Sequence, residues 1–269
     1  YSGMKKKEGF IILIIGFIIL SVSLASAFNL QEWFNDFFGD ITGRAIDIDS
    51  GLIGHWEFES DFSDSTGIHT GASLIGNAQI EIDTERGNAL SLDGSGDYVN
   101  IGSDADLDDL GPVTYAAWVK PESRGDSQFP RIIGKGKSQK RTDFFLKDQD
   151  RGGKRRLVFV VDYDGSDLGV DSVNNVYEYG VWQHVAMTWD GGNLARGVKM
   201  YVNGVEVPGY KRVRDALGKR VSDSVDPMVV GARSGGRNQY HGLIDDVRIY
   251  DRVLSAKDIS VLAQGIEDV

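Results

Sequence analysis

Glu81, Asp83 and Glu85 stand at alternate positions in Glu81-Ile82-Asp83-Thr84-Glu85. On a strand, side chains two apart share a face, so three carboxylates would line up. Two of them could then work as nucleophile and acid in glycoside hydrolysis, with the middle one tuning their pKa values. The alternative reading is a solvated acidic turn, with Arg86-Gly87-Asn88 following at once. No catalytic residue is assigned. The four histidines at 55, 69, 184 and 241 are too scattered in sequence to suggest a metal cluster, and the chain holds no cysteine, so disulfide and thiol chemistry are excluded.

The basic residues are distributed less evenly. Ten fall between Arg131 and Arg156 against three aspartates, in a chain whose formal net charge is −11. Leu157 to Val161 and Phe144-Phe145-Leu146 read as strands, which divides this run into a loop at 135–142 and a second at 149–154, at opposite ends of a hairpin. The first loop carries Lys135, Lys137, Lys140 and Arg141 without an acid and is the candidate ligand-binding rim. Against an acidic background such a rim predicts attraction of a multiply charged anion, a sulfated or uronic-acid polysaccharide, weakened by salt. The net charge itself argues against nucleic acid as a partner.

The elements that must position these residues are strands. In Trp182–Val207, Val185, Met187 and Trp189 alternate with polar or small neighbours, Asp190-Gly191-Gly192-Asn193 breaks the run, and Val198, Met200 and Val202 alternate again. Asn203-Gly204 then supplies a two-residue type I′ turn leading to Val205 and Val207. The reading is a three-stranded antiparallel meander at the centre of an all-β domain running from Gly51 to the C-terminus. A short helix closes it, with Ser255 as N-cap, Asp258 completing a capping box, and Ile259 and Leu262 facing inward.

Several stretches carry a resemblance. Trp182-Gln183-His184-Val185-Ala186-Met187-Thr188-Trp189-Asp190-Gly191, Lys199-Met200-Tyr201-Val202-Asn203-Gly204, Gly87 to Val99, Thr114 to Pro121 and Gly242 to Tyr250 resemble motifs of laminin G-like and pentraxin-like domains of the concanavalin A-like lectin/glucanase superfamily. The resemblance implies an antiparallel jelly-roll sandwich of two sheets and, as function, non-catalytic recognition of an extracellular glycan or a surface protein. The alternatives are a glycoside-active enzyme of the glucanase type and a structural cell-envelope protein, because this fold hosts many activities. Relatives often hold calcium near the sheet ends. That implies a structural Ca²⁺ held by Glu59, Asp61 and Asp64 after the first strand and by Asp245 of the last strand, if first and last strands pair.

At the N-terminus, Met4 is the expected start, Lys5-Lys6-Lys7 a positive n-region, Phe10 to Leu24 an apolar run and Ala25-Ser26-Ala27 a small-residue cleavage site. Residues 1–27 read as an export signal, with a retained signal anchor as the alternative, so the chain is expected to be secreted or displayed at the cell surface. Membrane contact is expected only through this segment if it stays uncleaved. Residues 28–50 read as an amphipathic helix, with Leu30, Trp33, Phe34, Phe37, Phe38 and Ile41 on one face, followed by a polar linker.

Overall fold

A computed structural model describes residues 47–125, 127–137, 139–148 and 154–265. The chain divides between Ile46 and Asp47, and Asp47–Val269 is one compact unit. The export signal and the amphipathic helix expected before it lie outside the described residues.

The unit is a sandwich of two antiparallel sheets. The first sheet comprises β3 (Gln79–Asp83), β4 (Gly87–Asp93), β16 (His241–Tyr250), β6 (Pro112–Ser123), β11 (Gln183–Asp190), β12 (Val198–Val202) and β13 (Val205–Glu206), in that order, with β1 (Leu52–Trp56) paired to the C-terminal half of β16. The second comprises β2 (Ser73–Ile75), β5 (Tyr98–Gly102), β15 (Met228–Val230), β7 (Arg131–Lys135), β8 (Thr142–Asp148), β9 (Arg155–Val161), β10 (Leu168–Ser172) and β14 (Tyr210–Arg214). Consecutive strands β2 and β3 stand at one edge of each sheet, and β13 and β14 at the other, so the chain crosses between sheets at the edges. One α-helix, α1 (Ala256–Leu262), follows the last strand.

The centre forms for the reason the alternation suggests. Val185, Met187 and Trp189 of β11 stand opposite Ala117, Tyr115 and Val113 of β6 on one side. On the other side they face Val202, Met200 and Val198 of β12. All except Val202 are essentially buried, and they meet Phe144, Phe159 and Val170 of the second sheet in one continuous core. Asn203 (φ +50°) and Gly204 (φ +79°) take the left-handed conformations that a type I′ turn requires. The capping box forms as expected: the Ser255 side chain accepts from the Asp258 backbone N–H at 3.2 Å, and Asp258 accepts from the Ser255 N–H at 2.9 Å. Ile259 and Leu262 are buried.

Two boundaries differ from the sequence reading. Glu81 and Asp83 belong to a strand, β3, and only residues 84–86 form the turn into β4. Lys135 is the last residue of β7 and not part of a loop.

Candidate functional site

At the end of the second sheet where β8 begins and β9 ends, a depression is lined by Gln139, Lys140, Arg141, Asp162, Tyr163, Asp164, Gly165, Asp167 and Val221. Its walls are two tight loops. In the first, Gly136 (φ +82°) brings the backbone so close to the Lys140 carbonyl that no side chain fits, and Gln139 at the tip holds the left-handed φ of +70°. Outside glycine, a position of this kind costs free energy and is held only by its surroundings. The second loop, 162–167, is zipped to 217–221: Asp164 N–H donates to Lys219 O at 2.9 Å, Lys219 N–H to Asp164 Oδ1 at 2.8 Å, and Ser166 and Leu217 exchange backbone bonds.

Arg141 and Asp162 join the two loops immediately beyond the last ladder pair, Thr142–Val161. The Arg141 backbone N–H donates to Asp162 Oδ2 at 3.0 Å, its Nε reaches both oxygens at 2.9 and 3.0 Å, and its Nη2 lies 2.7 Å from Asp162 and 3.6 Å from Asp167. Burial works to lower the Arg141 pKa, but the hydrogen bonds and charge of Asp162 outweigh it and the net shift is upward. The guanidinium is a neutralised fixture of the wall. What stays open is different: the exposed Lys140 ammonium, the Gln139 amide, the second oxygen of Asp164, and the half-buried Tyr163 ring, whose phenol pKa burial raises and whose hydroxyl donates to the Gly192 carbonyl at 3.4 Å.

The basic rim expected of Lys135, Lys137, Lys140 and Arg141 therefore does not form. Lys135 is 1% exposed and its Nζ lies 2.6 Å from Asp108 and 3.0 Å from the Asp226 carbonyl. Lys137 is exposed, 3.5 Å from Asp226. Acids distant in sequence, from residues 108 to 226, cancel a cluster that looks unopposed locally. Only Lys140 and Arg141 reach the depression, together with three aspartates.

The carboxylates expected to hold calcium do not converge either. Asp64 is buried and its oxygens accept the backbone N–H groups of His55, Thr66 and His69 and the Thr66 hydroxyl, so it organises the turn after β1. Asp61 caps Ser63 at the surface. Glu59 and Asp245 do share a small depression, since β1 and β16 pair as anticipated, but Arg86 and Arg248 occupy it with them. Among the described residues no three His, Asp or Glu side chains are grouped to hold a metal.

Of the alternating acids at 81–85, Glu81 and Glu85 are exposed and Asp83 serves packing. Asp83 accepts from Lys120 Nζ at 2.8 Å, Trp182 Nε1 at 2.9 Å and the backbone of Glu85 at 2.8 Å. Burial acts to raise its pKa, yet these donors hold it well below the usual carboxylate range. Arg86 lies 4.1 Å over the Trp118 ring and donates to Asp245 Oδ2 at 2.9 Å. His184, against Trp118, is pushed down to about 4 by burial and is a neutral packing group.

Comparisons with known proteins fit this architecture. An adhesion G-protein coupled receptor V1 of Danio rerio is 22% identical over 155 residues, covering 57% of this chain, and the match spans only 2% of that receptor's length. Domain 4 of AbnA, a GH43 extracellular arabinanase from Geobacillus stearothermophilus solved in complex with arabinotriose, superposes with a TM-score of 0.53 at 22% identity over 79% of this chain and 98% of that one. The binding domain of Paraclostridial Mosquitocidal Protein 1 gives 0.63 at 15% identity, over 81% of this chain and 53% of that one. Such structural likenesses speak for the fold. Residues 93–260, more than half of the chain, match the Laminin G family of the concanavalin A-like lectin/glucanases superfamily, and the chain belongs to it.

Proposed function

We propose that this protein is an exported, non-catalytic glycan-recognition module, and that the depression between the 136–141 and 162–167 loops takes a hydroxyl-rich, uncharged oligosaccharide. The observation that carries the reading is the Tyr163 ring standing beside the unengaged groups of Gln139, Lys140 and Asp164. A sugar needs an apolar platform for its C–H face and convergent donors and acceptors for its hydroxyls. Two cations against three carboxylates leave this depression slightly acidic, so the polyanion suggested by the local sequence meets repulsion here. The arabinotriose held by the arabinanase domain is a precedent on this fold for a neutral ligand. Export is supported by the apolar run and the Ala25-Ser26-Ala27 site. The non-catalytic reading is supported by Asp83 being engaged with Lys120 and Trp182, and Asp245 with Arg86.

The test is a glycan array probed with the full chain, its Tyr163→Ala variant and its Tyr163→Phe variant. Neutral oligosaccharides are expected to be retained by the parent and by Tyr163→Phe, and lost with Tyr163→Ala. Retention of heparin in preference to neutral sugars would sink the reading.

A further inference from the structure

The edge of the sandwich formed by β13 and β14 is left incomplete. β13 is two residues long, so the first sheet stops short there, while β14 continues the second sheet for five residues with no strand beyond it among the described residues. Val213 of β14 pairs with Val170 of β10, which is wholly buried in the core. Partners across a ladder face the same side, so Val213 points into the sandwich, yet it is 61% exposed. Below it runs a groove between the sheets, lined by Ala195, Val198 and Tyr210 together with Arg196, Asp215 and the ion pair of Lys199 with Glu206, 3.1 Å apart. On the other face of β14, Arg212 stands exposed, and Lys211, left unpaired by the register shift between Tyr210 and Arg212, is exposed next to it. The flanking acids are engaged, Glu206 by Lys199 and Asp215 by the Ala195 N–H at 2.7 Å, and residues 207–214 between them contain no acid.

The geometry points to this edge as a docking site for an extended, acidic segment of a partner protein, added as a further strand alongside β14. Such a segment would alternate apolar and acidic residues. Its apolar side chains enter the groove against Val213, Val198 and Tyr210, and its carboxylates meet Arg212 on the outer face, Lys211 at the register shift and Arg196 at the rim. Charge decides the occupant. Two copies of β14 laid side by side would bring Lys211, Arg212 and Arg214 of one copy against those of the other, and like charges across a ladder are destabilising. An acidic strand removes that penalty. It also gives the unpaired backbone edge its hydrogen-bond partners. This site is separate from the Tyr163 depression and does not depend on it.

The experiment is fluorescence anisotropy of the full chain with three labelled peptides. The first alternates Glu with Val and Ile over seven residues, the second replaces each Glu by Lys, and the third is the acidic peptide N-methylated at alternate residues. Saturable binding is expected for the first alone, weakening by at least about tenfold from low salt to half-molar salt as screening tightens. Arg212→Glu and Val213→Glu should each weaken binding by at least about tenfold, while Tyr163→Ala leaves it unchanged. Both substituted side chains lie at the surface, and a circular-dichroism melt confirms folding. Equal binding of the N-methylated or Lys peptide, or none by the acidic peptide, overturns the proposal, the last result leaving the cations as guards against edge pairing. Concentration-dependent dimerisation abolished by Val213→Glu also overturns it, in favour of a second copy.

Discussion

Two stretches of this chain concentrate charge, 81–86 and 135–141, and the folded protein uses them in opposite ways. Around Asp83 every group is engaged: Lys120, Trp182 and the turn backbone converge on one carboxylate, and Arg86 is held between Trp118 and Asp245. Around Arg141 the wall is equally tied, but Lys140, Gln139 and the ring of Tyr163 are left to solvent. Residues 81–86 have the spacing of an active site and form a packing device. Residues 135–141 have the composition of a cationic patch and border a nearly neutral concavity. What separates structure from function in each is whether distant residues supply every partner.

The sharpest way to break this contrast is to remove a partner from the closed cluster. Arg86→Ala leaves the Asp245 side chain, 5% exposed, without its counter-charge. Losing one member of a buried pair costs about 3–5 kcal/mol. Urea unfolding should show the unfolding free energy falling by that amount. A loss below about 1 kcal/mol would place Arg86 among ordinary surface residues.

The next effect is a pH dependence. Burial pushes the Asp245 carboxyl up to about 6, even with Arg86 attached. The folded state therefore keeps this proton in a window where the unfolded chain, near 3.8, has released it. The stability is present below about pH 4 and is lost as pH rises towards 6, at most about 3 kcal/mol by linkage. Asp246 runs the other way. Burial acts to raise its pKa, but the His55 hydrogen bond and the Arg248 charge bring it down to about 2, so its contribution is present above about 3.8 and is lost in stronger acid. Because the two windows do not overlap, the difference in unfolding free energy between parent and Asp245→Asn should change between pH 4 and 6 only. A flat difference would mean that Asp245 titrates normally. Below this in size, Trp182→Phe removes the indole donor to Asp83 and should cost about 1.5 kcal/mol, as for a hydrogen bond to a charged group.

The same contrast explains what could be read from the amino acids alone. The strands of the meander, the Asn203-Gly204 turn and the capped helix were legible because each is encoded locally, by alternation, a turn pair or a capping box, and the last strand through its resemblance to a family motif. The short strands β2, β14 and β15 were not, since three to five residues at an edge or beside a bulge give no period to follow. In the site, Lys140 and Arg141 were found. Asp162 and Asp167 were missed because they lie 21 and 26 positions beyond Arg141 and meet it only through the β8–β9–β10 register. The available signal was Asp162-Tyr163-Asp164-Gly165, an aromatic set into an acidic turn directly after an apolar strand. Lys135 misled for the same reason: its neutralising Asp108 is 27 residues away.

The smallest effect on stability is expected in the open concavity, and there its smallness is informative. Lys140 is exposed, and its ammonium takes no part in the ion pairs around Arg141 and Asp162. Lys140→Ala should therefore change the unfolding free energy by no more than about 0.5 kcal/mol, the ordinary range for a surface substitution. If the concavity holds sugar hydroxyls, the same change removes a donor from the ligand and should weaken neutral-oligosaccharide binding by about tenfold, equivalent to one hydrogen bond of about 1.4 kcal/mol. Calorimetric titration beside a thermal melt reads both quantities on one sample. A variant that loses stability and binding together would assign Lys140 to the same closed, structural class as Arg86. A variant that loses neither would leave Tyr163 without a charged neighbour in recognition and move the search to another face of the second sheet.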